Sequence, residues 1–155
     1  MQGTATVIEV LNRQLTLELT SMDVYLQQGR MLEDWGYQKL KERLVHESGD
    51  ERQHADRLIQ RILFLEGEPQ VLARKEVAIG ASPQVMLEND LRYEYEVAKK
   101  LNEGIAVCVA ASDNASRALL EDLLKETEND HIFWLEAQLF LIDSLGVQNY
   151  LAQQL

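Results

Sequence analysis

The chain has 155 residues, 46% of them apolar, enough for one domain over residues 1–155 with a substantial buried core. A net charge of −11, a pI of about 4.7 and the lack of a basic tail speak against nucleic acid as a partner, because phosphate contacts need clustered Lys and Arg. The longest apolar run, around Ile105 to Ala111, is too short to span a membrane, and the opening MQGTATVIEVLNRQL lacks the basic and apolar blocks of a signal peptide.

Two prolines, eight glycines and an abundance of Leu, Glu, Gln, Ala, Lys and Arg predict an all-α protein of long helices. The single cysteine, Cys108, has no internal disulfide partner and lies on an apolar stripe, which reads as a buried, inert thiol in a reducing cytoplasm. The acidic surplus is compatible with cations as ligand or cargo, and equally with a solvated acidic surface.

The first helix is predicted from Thr4 or Ala5 to Asp34, ended by Trp35-Gly36. Its seam is Val7, Leu11, Leu15, Glu18, Met22 and Tyr25, so Glu18 occupies a core position. The short turn makes the second helix, Tyr37 to Leu65 or Glu66, an antiparallel neighbour, and Gly67 and Pro69 stop it. Its stripe is Leu44, Glu47, Glu51, His54, Leu58, Ile62 and Leu65. Gly49 within it marks either a local irregularity or a tolerated cost of roughly 1 kcal/mol.

Residues 67–82 form the one long connection, enough to run the length of a bundle and return the chain to its starting end. Ser82-Pro83 is a strong helix start, with Ser as N-cap and Pro at the first helical position. The third helix runs to about Ala111, with seam Leu87, Leu91, Glu94, Ala98, Leu101, Ile105 and Cys108. After the turn Ser112-Asp113-Asn114, the fourth helix runs to about Leu145 with seam Leu120, Leu124, Glu128, His131, Leu135, Leu139 and Ile142. Gly146 caps it, and Val147 to Ala152 form a short fifth helix.

Four helices thus bring Glu18, Glu51, His54, Glu94, Glu128 and His131 to one level of one core, with no Lys or Arg in the seams there. About four negative charges in an apolar interior must be neutralised, and two divalent metals would do so. Oxygen-rich sites with one imidazole per ion suit iron or manganese better than zinc. One Glu-x-x-His is weak evidence, but two of them, with two more glutamates at the same level, point to a di-metal centre.

Further motifs make the chain resemble the bacterioferritins over nearly its whole length. They are Glu18-Leu19 with Tyr25 downstream, Asp34-Trp35-Gly36, His46-Glu47-Ser48, His54-Ala55-Asp56-Arg57, Arg61 to Gly67, Trp134-Leu135-Glu136 and Gln148-Asn149-Tyr150-Leu151. The resemblance implies a ferritin-like four-helix bundle with one long crossover, assembled into a hollow shell of about 24 subunits. It implies a di-iron ferroxidase site that oxidises Fe²⁺ with dioxygen or hydrogen peroxide, the ferric mineral collecting in the cavity. Glu18 and His54 would bind one iron, Glu94 and His131 the other, and Glu51 and Glu128 would bridge them. Tyr25 would serve beside the irons as hydrogen-bonding group or electron donor; the alternative is a core tyrosine with a satisfied hydroxyl. His46 and Asp50 match an auxiliary iron site of some members, or form a plain surface pair.

The departure is Arg52, where haem-binding relatives carry the methionine that ligates haem across a two-fold axis. Arginine offers no lone pair, so haem is not expected in a shell of this chain alone. The resemblance allows a mixed shell with a second, haem-binding subunit, and a ferredoxin as donor for iron release. Two further readings are a di-iron or di-manganese redox enzyme acting on an organic substrate or peroxide, and a DNA-protecting mini-ferritin. The first needs a cavity beside the metals, which large seam residues are expected to fill; the second places its metals between subunits and needs DNA contacts that this acidic chain lacks.

Overall fold

The computed structural model describes all 155 residues, and no strand occurs among them. The elements are α1 (Ala5–Asp34), α2 (Gln38–Phe64), α3 (Pro83–Ala110), α4 (Asn114–Glu126), a π-helical segment (Thr127–Ile132), α5 (Phe133–Leu145) and α6 (Val147–Ala152). At 1.5 Å per residue the 30 residues of α1 reach about 45 Å, and α4, the π segment and α5 form one rod of similar length.

The helix ends follow local chemistry. Ser82 Oγ accepts from the Val85 N–H at 3.4 Å with Pro83 at the first helical position. Gly36 takes φ +90° after α1, letting the Tyr37 N–H return to the Leu32 carbonyl. After α2 it is Glu66, at φ 62°, that takes the left-handed position. Gly67 is required for space instead, since a Cβ there would lie 2.8 Å from Ile8 Cγ2. Gly49 interrupts nothing: α2 is continuous through it, and no atom lies within 4 Å of where a Cβ would stand.

The connection between α2 and α3 is a crossover, as expected, and its path is pinned to α1. The Asn12 side chain bonds the Glu68 carbonyl at 3.0 Å and the Gln70 N–H at 2.9 Å. Further along, Thr20 Oγ1 accepts from the Lys75 N–H, and Gln28 Nε2 donates to the Ile79 carbonyl, each at 2.9 Å. The chain therefore climbs α1 from residue 12 to residue 28 and enters α3 beside the start of α2. Helix α3 then runs antiparallel to α1, with Tyr93 donating to the Leu17 carbonyl at 2.6 Å and Arg13 to the Lys100 carbonyl at 3.1 Å. The last rod runs antiparallel to α2 through Arg61–Asp113, Arg57–Asp122 and Arg43–Asp130. Helix α6 closes the end where α2 begins, with Tyr150 donating to Gln138 at 2.7 Å.

The core is in two parts. One apolar cluster holds Val7, Leu11, Leu15, Leu58, Ile62, Leu101 and Leu120, and the other holds Leu32, Leu40, Leu44, Met86, Leu87, Leu135 and Ile142. Each fully buried leucine stabilises the fold by about 1.5–3 kcal/mol. Between the two clusters lies a polar layer containing Glu18, Glu51, His54, Glu94 and His131. Cys108 is fully buried, and burial, with Asp113 nearby, pushes its thiol up to about 11, as suits an inert group.

Two seams differ from those expected. On α3 the buried residues are Leu87, Asp90, Glu94, Val97, Leu101, Gly104 and Cys108, while Leu91, Ala98 and Ile105 are half-buried. On the last rod Leu120, Leu123, Thr127, His131, Leu135 and Ile142 are buried, Leu124 and Leu139 are half-buried, and Glu128 is exposed. On the last rod the π segment is the reason. It lets one extra residue pass before His131, so that counting back at α-helical spacing lands on the wrong positions.

Candidate metal centre

Helix α1 contributes Glu18, α2 contributes Glu51 and His54 one turn apart, α3 contributes Glu94, and the π segment contributes His131. None is more than 3% exposed. Glu51 stands between the histidines. Its Oε2 lies 4.0 Å from His54 Nδ1, and its Oε1 lies 3.1 Å from His131 Nδ1. Glu18 Oε2 is 3.4 Å from His54 Nδ1, and Glu94 Oε1 is 3.4 Å from His131 Nδ1. The result is two triads, Glu18–Glu51–His54 and Glu51–Glu94–His131, whose donor atoms each fall within 4.8 Å of one another. The imidazole rings are nearly parallel, at 20°, with centroids 6.3 Å apart.

Every one of these groups is oriented from behind. His54 Nε2 meets Glu126, and His131 Nε2 lies 2.5 Å from Glu47 Oε2. A carboxylate behind the outer nitrogen fixes the tautomer that leaves Nδ1 free to bind a metal. Glu47 is itself paired with Arg43, whose guanidinium also holds Asp130 at 2.8 Å and lies over the Trp134 ring. Gln14 donates to Glu18 at 2.8 Å, Ser21 to Glu51 at 2.9 Å, and the buried Tyr25 hydroxyl to Glu94.

Protons stand in for positive charge here. Burial opposes the charged form of His131, yet Glu47 and Glu94 outweigh it and hold the ring up to about 11; Glu18 and Glu126 likewise hold His54 up to about 8 against burial. Burial and the nearby Glu18 and Glu94 push Glu51 well above the carboxylate range, whereas Glu18, despite burial, is drawn down to about 2 by its bonds to Glu51 and His54. Both ring nitrogens of His131 are buried without a hydrogen bond: Nε2 is in ion-pair contact with Glu47, and Nδ1 faces two carboxylate oxygens. An orphaned donor atom in an oxygen-rich cage is what a cation would satisfy, so the residues fit a pair of iron or manganese ions.

Of the six ligands expected from sequence, five come together. Glu128 does not: it is exposed on the π segment, and Thr127 is the buried residue of that turn. Tyr25 has its hydroxyl satisfied by Glu94, so its two readings meet in one contact. The exposed His46 pairs with the half-buried Asp50 at 3.4 Å; Asp50 also joins Glu47, Asp130 and His131 in a further acidic cluster. Arg52 is exposed beside Gly49, Gln53, Asp56 and Arg57 in a shallow depression. Sequence reasoning assigned no role to Glu47, Glu126, Gln14 or Ser21. Glu47 carried a signal, as a third polar residue on the α2 stripe beside Glu51 and His54, whereas nothing in the spacing marked Glu126. The expectation that no cavity adjoins the centre is corrected as well. A chamber of about 290 Å³ opens between α1, crossover residues 75–78 and α3, reaching Ser21 and Tyr25.

A bundle of four long helices with one crossover, enclosing carboxylates and one histidine per metal position, defines the di-metal carboxylate class of ferritin-like proteins. The ferritin-like domain model matches residues 8–145, and the chain belongs to that family. It is 47% identical to the bacterial ferritin of Pseudomonas aeruginosa over 155 residues, covering all of both chains. It is 45% identical to the bacterial ferritin of Synechocystis sp. (100% of this chain, 99% of the relative) and 40% identical to the bacterioferritin of Mycobacterium leprae (99% and 96%). No helix is long and apolar enough to cross a membrane.

Proposed function

We propose that the chain is a single-domain iron-storage subunit with ferroxidase activity, and that Glu18, Glu51, His54, Glu94 and His131 hold its di-iron centre. The observation that carries the reading is Glu51, each of whose oxygens faces a different histidine, the posture of a bridging carboxylate. The iron pair, when bound, supplies electrons to dioxygen or hydrogen peroxide as Fe²⁺ becomes Fe³⁺. The chain's own part is positional. Glu18 with His54, and Glu94 with His131, define the two positions; Glu126 and Glu47 stand behind the outer imidazole nitrogens; Tyr25 donates to Glu94, and Ser21 to Glu51. Glu128, exposed, has no part in this set.

Exposed apolar side chains support assembly into a closed shell, notably Leu72 at 93%, Phe140 at 70% and Phe133 at 69% exposure. Arg52 supports a shell without haem unless a second, haem-binding subunit joins it, and a ferredoxin is the class of donor expected for iron release. His46 and Asp50, paired at the surface, are candidates for an auxiliary iron position, and the reduced Cys108 suits a cytoplasmic protein. The chamber beside the centre is lined by Lys75, Glu76, Asp90, Arg92 and Glu96 together with the apolar and aromatic Val24, Tyr25, Val77, Ala78 and Tyr93.

The test is aerobic addition of Fe²⁺ to the purified protein. Rapid oxidation with a soluble ferric core is expected, and Glu18→Ala or His54→Ala should slow it while the oligomer persists. Oxidation no faster than in buffer would overturn the reading.

A further inference from the structure

The two imidazoles of the centre are held by different means. Behind His54 stands Glu126, an exposed carboxylate that pairs with no Lys or Arg. Behind His131 stands Glu47, which is 3% exposed. Its Oε2 is in ion-pair contact with the outer nitrogen of the ring, and its Oε1 meets the guanidinium of Arg43, one turn earlier on α2. A buried carboxylate needs its partners, because removing one leaves an uncompensated charge.

Arg43 does more than pair with Glu47. The same guanidinium donates to Asp130 Oδ1 at 2.8 Å and lies over the Trp134 ring, 4.8 Å from its centroid. Asp130 and Trp134 flank His131 on the last rod, one residue before it and three after. Arg43 therefore reaches from α2 across the π segment and grips it on both sides of the ligand. The contacts suit arginine, whose planar fork meets two carboxylates and stacks on an aromatic face at once, whereas lysine offers a single point charge. Glu47 and Asp130, two of the carboxylates that cluster with His131 on this side, share Arg43 as their counter-charge.

We propose that Arg43 is a positioning residue for the His131 metal position: by holding Glu47 against the outer nitrogen and the π segment against α2, it keeps Nδ1 turned toward Glu51 and Glu94. On the di-metal reading of the centre, Arg43 serves this position only, and the His54 position is independent of it. Partners behind a ligating histidine are worth about 10–100-fold in metal affinity, and Arg43, one contact further out, is expected at the lower end, about tenfold.

The experiment is an anaerobic Co²⁺ titration of the assembled full chain, followed by visible absorption, in two backgrounds that each leave one position. His54→Ala keeps the His131 position, and His131→Ala keeps the His54 position. In the first background Arg43→Met is expected to weaken binding about tenfold and to shift the Co²⁺ bands; in the second it should change neither. Arg43→Lys, which keeps the charge without the fork, is expected to recover only part of the loss, and it carries the test should Arg43→Met fail to assemble. With Glu47→Gln already present, Arg43→Met should cost less than it does alone. Unchanged binding in the first background, equal weakening in both, full recovery by lysine, or an additional ion bound by Arg43→Met overturns the inference. Wild-type protein that binds no pair of Co²⁺ ions would instead count against the metal centre itself.

Discussion

Glu128→Gln and Glu94→Gln are chemically identical changes one helix apart, and the structure assigns them opposite consequences for metal binding. Glu128 is exposed on the π segment, and a surface substitution of this kind shifts free energies by no more than about 0.5 kcal/mol, roughly twofold in affinity. Glu94 is 1% exposed, and its Oε1 lies 3.4 Å from His131 Nδ1. Losing even a residue that orients a ligand costs about 10–100-fold in metal affinity, so loss of a direct ligand should cost about 100-fold or more at its position. The assay is an anaerobic Co²⁺ titration of the assembled protein followed by visible absorption. Two ions per chain are expected for wild type and Glu128→Gln, with one position severely weakened in Glu94→Gln. Equal weakening by the two substitutions would refute the placement of Glu128. Thr127→Glu carries the reasoning further. It puts a carboxylate at the buried position of the turn, which should tighten metal binding and lower the melting temperature of the metal-free protein.

Asp113 caps α4 by accepting from Ser116 N and Oγ and binds Arg61 at 2.8 Å, so Asp113→Ala should cost roughly 1–2 kcal/mol, at about 2–4 °C of melting temperature per kcal/mol. Burial opposes ionisation of this carboxyl, but bonds from Ser116 and Arg61 outweigh it and hold it below the ordinary 3.8; the contribution is therefore complete above that value, and the gap between variant and wild type should close as pH falls below it. Gly49→Ala, placed in an unbroken helix with open space for the added carbon, should stabilise by about 1 kcal/mol, read as a rise in denaturation midpoint; a fall would mean that the face is covered in the assembly. His131, held protonated up to about 11 in the metal-free chain, must release its proton when Nδ1 takes a metal; calorimetric titration in two buffers of different ionisation enthalpy should report that release, and metal affinity should increase with pH.

The fold was legible because its signals are periodic and local. Glu18 and Glu94 stood out as carboxylates in otherwise apolar seams, and Glu51 with His54 as a pair one turn apart; all four are buried where the spacing put them. The crossover was legible from the length of residues 67–82 and the Ser82-Pro83 start, and the bonds to Asn12, Thr20 and Gln28 give its direction. Glu128 was misplaced because heptad counting assumes one uniform twist, and a π segment has no compositional mark in Thr127-Glu128-Asn129-Asp130-His131. The residues behind the histidines were illegible for a different reason. Whether Glu126 or a neighbour reaches His54 depends on the packing of two helices that are 72 positions apart in sequence.

The π segment also accounts for how the last rod serves two packing demands at once. Up to Thr127 its buried residues, Ser116, Leu120, Leu123 and Thr127, step by four, three and four and drift slowly around the helix. Continued unbroken, that drift would carry Leu135 and Ile142 away from the second apolar cluster, where both are in fact packed. One wider turn cancels the drift at the level of the polar layer, so the irregularity falls where a histidine must be aimed rather than where leucines must interlock. It turns His131 toward Glu51 and leaves Glu126 facing His54. Its consequence is the ligand set itself. The carboxylate that would complete a symmetric six-residue cage points to solvent, leaving Glu51 as the one carboxylate set between the two histidines.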